Sequence, residues 1–278
     1  MCPNNSEFNF DQIAKKIRSM IIDMSFNAQS SHLGGALSIV DGLVTIYFSK
    51  VFNLTFRDIL QNKSDKVIFG KGHAASALYA TLAEVGVIST AELLEYKQNG
   101  NLLTEHPSVN SYPGVDWATG SLGHALPIAC GLAYGYLKTG DKRKVIAILS
   151  DGDCQEGSTW EAFMLAGKLQ LDNLYCFIDA NKYQATGKVI DITNLYPISE
   201  KISTFGWHSV ELNGNNSNEI FLALSQTMSI EKKPKAYVLN TEKGFGVSFM
   251  VGDNNWHYKF PNQAEYDLAL KELALDEK

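Results

Sequence analysis

The sequence has few of the features that mark nucleic-acid-binding, membrane or secreted proteins. Its 278 residues include 24 Lys and Arg against 30 Asp and Glu, a net charge of −6 with no basic cluster, which disfavours nucleic acid or an anionic membrane as a partner. No apolar run approaches the length of a bilayer span. The first residues, MCPNNSEFNFDQ, lack the basic-then-apolar layout of a signal peptide. These absences predict a cytoplasmic protein.

Cysteine is also scarce, and none of it forms a C-x-x-C pair. The four cysteines are Cys2, Cys130, Cys154 and Cys176. Scattered cysteines in a chain without a signal peptide are typical of reduced thiols in a cytosolic protein. A reactive role for Cys154, which lies near an Asp-Gly turn, competes with the commoner role of a small packing residue.

Continuous apolar segments alternate with helical patterns along the chain. Strands are predicted at 66–69, 145–149, 174–178, 208–212 and 235–239. Helices are predicted at 10–27, 38–48, 74–85, 92–98, within 120–136, and at 158–169, 217–229 and 262–275. This alternation predicts an α/β fold, a doubly wound parallel sheet with helices on both faces. Because there is no internal repeat or low-complexity linker, residues 1–278 are expected to form a single domain.

Two of the predicted strands end in polar residues suited to a metal ion. Asp151 follows the apolar run VIAIL, and Asn181 lies thirty residues further on, after LYCFI. Thirty residues is about the length of a strand–helix–strand unit, so both side chains should emerge at the same edge of the sheet. A carboxylate and an amide oxygen at that edge suit a hard divalent cation such as Mg²⁺.

The residues after Asp151 suit a phosphate group. Gly152 allows the backbone to approach a ligand closely, and the helix that begins after Glu156 points its positive end towards an anion. Together with a bridging cation these features predict a diphosphate site. The competing interpretation is structural: a turn at Asp151-Gly152 and a cap at Asn181.

Histidines give a second signal. Five of the six lie in loop-like or glycine-rich contexts, and His208, on a predicted strand, is expected to be structural. The five are His32, His73, His106, His124 and His257. This set favours a cleft that handles hydroxyl, carbonyl or phosphate groups. A zinc site is the competing interpretation, but no two histidines are four residues apart and no cysteine accompanies them.

The Asp-Gly pair followed about thirty residues later by Asn, here SDGDCQEG and DANK, resembles the thiamine diphosphate and magnesium signature. The surrounding segments are similar to those of the transketolase family, in the same order: SSHLGGALSIVDGL, DKVIFGKGHAASALYATLAEVG, TEHPSV, GVDWATGSLGHALPIACGLA and LSDGDCQEGSTWEAFMLAGKLQLDNL. Only the amino-terminal, diphosphate-binding part of a full-length transketolase is covered. The chain therefore resembles the first subunit of a split enzyme.

The resemblance implies roles for individual residues. The metal ligands would be Asp151, Asn181 and the backbone carbonyl of Tyr183, with Mg²⁺, or Ca²⁺ or Mn²⁺, as the metal. The implied catalytic residues are His32, His73, His106 and His257; the implied cofactor-binding residues are His73, Gly120, Leu122, Gly152, Asp153, Glu156, Asn181 and His257. Glu156 matches a buried glutamate at the subunit contact. Tyr258 departs from a common glycine, which would narrow the substrate channel.

The resemblance also implies a reaction and a partner. The reaction is transfer of a two-carbon ketol unit from a ketose phosphate to an aldose, with phosphorylated or activated sugars as substrates. The partner is the pyrimidine-binding, carboxyl-terminal subunit, in a heterotetramer with two copies of each chain. Two alternatives remain open: the α subunit of a 2-oxoacid dehydrogenase or related decarboxylase, and a non-catalytic cofactor-binding subunit.

Overall fold

A computed structural model of the chain describes residues 9–274 and contains one five-stranded parallel sheet. Its strands are β1 (Lys66–Phe69), β2 (Val145–Ser150), β3 (Leu174–Ala180), β6 (His208–Asn213) and β7 (Lys235–Asn240), and β4 (Tyr183–Gln184) and β5 (Gly187–Lys188) form a separate antiparallel pair. The order across the sheet is β1-β2-β3-β7-β6, with every neighbouring pair parallel. All five predicted strands are confirmed.

The central strands are apolar almost throughout because both of their faces are covered. Every residue of β2 and β3 is buried. Successive side chains of β2 alternate between two separate cores: Ile146 and Ile148 belong to one, Ala147 and Leu149 to the other. A continuous apolar run is therefore what a strand between two helical layers requires.

Helices cover both faces, which confirms the predicted doubly wound architecture. One layer contains α1 (Phe10–Ala28), α3 (Val40–Phe48), α5 (Ala75–Val85), α11 (Ser217–Thr227) and α12 (Gln263–Leu273), and the other contains α7 (Ala125–Thr139), α8 (Gly157–Leu169) and α10 (Ile198–Ser203). The remaining short helices are α2 (Leu33–Ser38), α4 (Phe56–Leu60), α6 (Thr90–Leu93) and α9 (Val189–Ile192). In the part of the chain described, no helix is long and apolar enough to cross a membrane.

The helix predicted at 92–98 is wrong in its bounds. Ser89 forms a capping box with Glu92 and starts α6 two residues earlier than predicted. The helix then ends at Leu93, and turns follow through Lys97, whose φ of 61° is incompatible with a continuing helix. The last residue of the predicted helix 262–275 lies outside the described residues.

The topology creates a crevice at the carboxyl edge of the sheet. The connection that leaves β3 leads to α10 on one face, whereas the chain that leaves β7 leads to α12 on the other. Adjacent parallel strands whose connections diverge in this way leave an opening beyond their carboxyl ends. Any ligand that uses the ends of β2, β3 and β7 would lie there.

Candidate active site

The two predicted strand tips meet at this crevice. Asp151 follows β2 and Asn181 follows β3, and both line a cavity of about 190 Å³, together with Tyr183. The prediction that these residues converge at one edge of the sheet is confirmed. Their role as metal ligands stays a prediction at this point.

The carboxylate of Asp151 is buried with few compensating contacts. Only 1% of the residue is exposed, and its Oδ2 accepts a hydrogen bond of 2.9 Å from the backbone N–H of Lys182. Lys182 adopts a left-handed conformation, with φ of 68°, as it makes this contact. Burial, and then the nearby charge of Asp179, raise the pKa of Asp151 to about 7. A buried carboxylate facing a cavity under these conditions is suited to a cation.

Hydrogen bonds fix the orientation of the Asn181 amide. Its Nδ2 donates to Asp179 Oδ2 at 3.1 Å and to Ser38 Oγ at 3.3 Å. Its Oδ1 accepts from the backbone N–H of Tyr183 at 3.0 Å and keeps a second lone pair. The amide oxygen of Asn181 is therefore able to act as a metal ligand.

A buried ion pair next to Asn181 fixes the position of its side chain. Lys71 and Asp179 are both fully buried and pair with each other, and the hydroxyl of Thr241 also donates to Asp179. Lys71 donates in addition to the backbone oxygen of Gly35 at 2.8 Å. Because the charged groups of this network are paired and hydrogen-bonded, it holds Asn181 in one position at the end of β3.

Four of the loop histidines form one cluster beside the cavity. The His32 ring centroid lies 5.8 Å from that of His73, 6.4 Å from that of His106 and 5.0 Å from that of His257. Three of them, His73, His106 and His257, line the cavity itself. His124, by contrast, is exposed and outside this cluster. Three of the five loop histidines therefore line the cavity and a fourth, His32, lies beside them, whereas their role in binding hydroxyl, carbonyl or phosphate groups stays a prediction.

Two histidines of the cluster, His73 and His257, have lowered pKa values and are neutral at physiological pH. Burial and then the charge of Lys71 hold the pKa of His73 well below its usual value. Burial and then Lys243, whose Nζ lies 3.2 Å from Nδ1, lower the pKa of His257 to about 4. Neutral imidazoles here act as hydrogen-bond donors or acceptors and do not add positive charge.

Glycines bring the backbone close to the cavity. Gly120 has φ of 120°, and a Cβ at this position would lie 2.7 Å from Cδ2 of His106. A Cβ on Gly72 would lie 2.5 Å from the backbone nitrogen of Gly120. Gly120, Leu122 and Gly152 all line the cavity, where the sequence predicted cofactor contacts.

Two residues predicted to bind the cofactor do not line the cavity. The carboxylate of Asp153 is already hydrogen-bonded to other residues of the chain: Oδ2 accepts from the N–H and the hydroxyl of Ser150, each at 2.9 Å, and Oδ1 accepts from the N–H of Gly123 at 3.1 Å. Glu156 precedes α8 and is exposed in the single chain, where burial at a subunit contact was expected. Contact of either side chain with the cofactor therefore has no support in the cavity geometry.

Lys243 is a site residue that the sequence patterns did not reveal. It lines the cavity, is only 1% exposed, and donates to Asn254 Oδ1 at 2.6 Å. Burial and then the charge of Lys71 lower its pKa to about 8. A signal was present, because Lys243 follows the end of β7 at the same edge as Asp151 and Asn181.

Cys154 packs in the core and does not line the cavity. It is fully buried, and burial raises the pKa of its thiol well above the usual value, so the reactive thiolate is disfavoured. Cys130 and Cys176 are buried and unpaired as well, as expected for reduced thiols, and Cys2 lies outside the described residues. Tyr258 is exposed, with its ring centroid 4.8 Å from that of His257.

Comparison with known proteins agrees with this site. Residues 10–277 match the family described as transketolase, thiamine diphosphate binding domain. One subunit of the apulose-4-phosphate transketolase of Actinobacillus succinogenes is 38% identical over 97% of this chain and 99% of its own length. A 6-deoxy-6-sulfo-D-fructose transketolase subunit of a Clostridium species is 32% identical over 97% of this chain and 98% of its own length.

Solved structures give the same result for the fold. A Pichia stipitis transketolase variant superimposes with a TM-score of 0.88 at 25% identity, and Campylobacter jejuni transketolase with 0.86 at 26%. These matches cover 96% and 95% of this chain but only 41% and 42% of the larger proteins. The chain thus spans about two fifths of these solved transketolases. The resemblance seen in the sequence is confirmed, and the chain belongs to the transketolase family as a form of its thiamine diphosphate binding domain.

Proposed function

We propose that this chain is the diphosphate-binding subunit of a two-subunit transketolase. The observation that carries the proposal is the meeting of the Asp151 carboxylate and the Asn181 amide oxygen in one cavity at the carboxyl ends of β2 and β3. All 278 residues would serve as one cofactor-binding domain, working in the cytoplasm. The three buried, unpaired cysteines of the described chain are compatible with that location.

The donor set fits a magnesium-bridged diphosphate. Asp151, the Oδ1 of Asn181 and the backbone carbonyl of Tyr183 would hold Mg²⁺, which prefers oxygen ligands and usually keeps others from water and phosphate. Gly152 permits close approach of backbone to the diphosphate, and the buried ammonium of Lys243 would balance its negative charge. The raised pKa of Asp151 and the lowered pKa of Lys243 are both costs that bound ions of opposite charge would relieve.

Thiamine diphosphate, when bound, supplies the carbanion chemistry that breaks and forms carbon–carbon bonds in ketoses. This chain anchors the diphosphate and places hydrogen-bonding groups near the sugar. The ammonium of Lys243 can donate hydrogen bonds but cannot accept them. His257 Nδ1 is therefore the acceptor, and the proton of the neutral ring is on Nε2. His257 Nε2–H is then a fixed donor for an oxygen of the substrate.

The histidine cluster favours polyhydroxylated sugars as substrates. His32, His73, His106 and His257 together offer several hydrogen-bond donors and acceptors, with ring centroids 5.0 to 6.4 Å apart in the measured pairs. A ketose phosphate has hydroxyl groups to use them, whereas a small 2-oxoacid does not. The relatives named for apulose-4-phosphate and 6-deoxy-6-sulfo-D-fructose point to sugars with an anionic group. The α subunit of a 2-oxoacid dehydrogenase is therefore the weaker candidate.

A direct assay separates the candidate functions. The purified chain, combined with its pyrimidine-binding partner, thiamine diphosphate and Mg²⁺, is expected to transfer two carbons from xylulose 5-phosphate to an aldose phosphate and to leave pyruvate untouched. Both reactions are followed by product formation under the same conditions. Turnover of pyruvate alone would establish the dehydrogenase alternative, and no turnover of either substrate would favour a non-catalytic cofactor-binding subunit.

An exposed face on α7 and α8 is the proposed contact with the partner. Large apolar side chains on it are open to solvent, namely Ile128, Tyr134, Leu137, Met164 and Leu165. Gly131 and Gly135 lie on α7 with open space where a side chain would extend. Glycine inside a helix lowers stability by roughly 1 kcal/mol relative to Ala. No neighbouring residue within the described part of this chain lies close enough to Gly131 or Gly135 to require a glycine there. Close approach of a helix from another subunit supplies a packing reason for them, within a heterotetramer of two copies of each chain.

Replacing Gly131 by Leu is expected to weaken assembly with the partner by roughly 10- to 100-fold, because overpacking a close contact costs about 1–3 kcal/mol. The same change should raise the Tm of the isolated chain, since Leu is a better helix former than Gly in an exposed position. Analytical ultracentrifugation and thermal unfolding measure the two effects.

The control for this variant is Lys271→Leu, which adds an exposed leucine to α12 on the opposite face of the sheet. It should leave assembly unchanged. Normal assembly of Gly131→Leu would show that the partner binds elsewhere.

A further inference from the structure

Ser31 and Glu105 form a hydrogen-bonded chain with His32 beside the cavity. His32 Nδ1 lies 3.1 Å from Ser31 Oγ and 3.4 Å from Glu105 Oε1. Ser31 Oγ itself lies 3.3 Å from the same carboxylate oxygen. Neither Ser31 nor Glu105 lines the cavity that would hold the diphosphate. Their contacts therefore concern His32 rather than the metal or the phosphates.

Glu105 is ionised in this setting. Its Oε2 pairs with Lys97 Nζ at 3.2 Å. Burial acts to raise the pKa of Glu105, but the hydrogen bond and charge of Lys97, together with His32 and Ser31, outweigh it and leave the pKa below its usual value. A carboxylate in this state can accept hydrogen bonds and cannot donate them.

The direction of each hydrogen bond follows from that charge. The Ser31 hydroxyl must donate to Glu105, so its oxygen accepts from His32, and the proton of the ring lies on Nδ1. Burial is the largest influence on His32 and keeps its pKa below the usual value, so the ring is neutral at neutral pH and carries one proton. His32 Nε2 is then unprotonated, and no described residue between 9 and 274 is hydrogen-bonded to it.

The backbone of His32 is held as firmly as its ring. Its N–H donates to the carbonyl of His257 at 2.9 Å, and its own carbonyl accepts from the N–H of Ala36 at 3.1 Å. The residue adopts φ of 68°, a conformation that non-glycine residues rarely take. The His73, His106 and His257 rings surround it on the cavity side.

We propose that Glu105, through its direct contact with Nδ1 and through Ser31, is a positioning residue that holds His32 as the Nδ1-protonated tautomer, which makes Nε2 a hydrogen-bond acceptor for a hydroxyl of the sugar. The use of Nε2 by a sugar rests on the proposed function, whereas the tautomer does not. His257, with Lys243 on its Nδ1, is the complementary donor, with its ring centroid 5.0 Å from that of His32. A hydroxyl group, which both donates and accepts, suits such a pair.

The tautomer is measured directly by nitrogen NMR of the full chain labelled with ¹⁵N-histidine at about pH 8. The His32 signals are assigned from the spectrum of a His32→Gln variant. In the unmodified chain Nδ1 should be protonated and Nε2 unprotonated. Glu105→Gln should shift His32 towards the other tautomer. The Gln amide can donate a hydrogen bond to Ser31 Oγ, and the Ser31 hydroxyl can then donate to His32 Nδ1. Glu95→Gln, an exposed neighbour on the same segment, should change nothing.

A second variant guards against a folding defect in the first. Ser31→Ala keeps the direct contact of Nδ1 with Glu105, so it should preserve the Nδ1-protonated tautomer more fully than Glu105→Gln. A protonated Nε2 in the unmodified chain, or an unchanged tautomer in Glu105→Gln, would overturn the proposal.

Kinetics of the complete two-subunit enzyme test what the tautomer does. Glu105→Gln should raise KM for the donor sugar about tenfold and change kcat much less, as expected when one binding hydrogen bond is lost. A changed tautomer with an unchanged KM would uphold the positioning role of Glu105 and refute the contact of His32 with the sugar.

Discussion

Replacement of Asp151 by Asn is expected to weaken Mg²⁺-dependent binding of thiamine diphosphate by at least about 100-fold. The variant keeps the size of the side chain and removes the one carboxylate that lines the cavity in residues 9–274. In the proposed site, Asp151 would be the only anionic protein ligand of Mg²⁺, and the variant removes that charge. Isothermal titration of the chain with thiamine diphosphate, with and without Mg²⁺, measures the loss.

The same variant should fold normally, which separates lost binding from lost structure. Asp151 carries a buried charge that burial and Asp179 disfavour, with a pKa raised to about 7. A neutral amide avoids that cost, so the metal-free variant should have a Tm equal to or above that of the unmodified chain. Asp267→Asn on α12 is the matched control and should bind cofactor normally. Full cofactor affinity in Asp151→Asn would place the site elsewhere.

The chain alone is expected to show ketol transfer at least about 10²- to 10⁴-fold slower than the complex with its partner, the usual contribution of a general acid or base. Its cavity offers one carboxylate, Asp151, which the proposed site assigns to the metal, and otherwise histidine, lysine, amide and backbone groups. Among the described residues that line the cavity, no second carboxylic acid can exchange protons with the pyrimidine ring of the cofactor. The family resemblance implies that a glutamate of the pyrimidine-binding partner does so.

A coupled assay for the aldehyde product measures this dependence. The chain is assayed alone, with the partner, and with heat-denatured partner as the control. Activity should appear only with the folded partner and should saturate at a fixed ratio of the two chains. Turnover by the isolated chain at a rate similar to that of the complex would contradict the split-enzyme account.

The central sheet was predictable because its constraints are local. VIAIL and LYCFI are continuous apolar runs, and a strand covered on both faces needs nothing else. The six residues of α2, LGGALS, were not recognised as a helix since two glycines oppose it. All six are buried, and tertiary packing against neighbouring elements holds this helix.

The site was predictable where it follows from strand ends, and only there. Asp151 and Asn181 could be placed by the rule that parallel strands share an edge. Sequence patterns do not indicate a site role for Lys71, Lys243 or Glu105, because isolated charged residues usually face solvent. Their importance depends on partners far away in sequence, such as Asp179 for Lys71, 108 residues later.

The most direct test of the account is purification of this chain from its native cells in thiamine diphosphate and Mg²⁺, followed by mass spectrometry and a ketol-transfer assay of the isolated material. The account predicts a second chain in equal amount that contains the pyrimidine-binding region of a transketolase, and activity with a ketose phosphate that neither chain has alone. A homo-oligomer of this chain that binds the cofactor without turnover would contradict it.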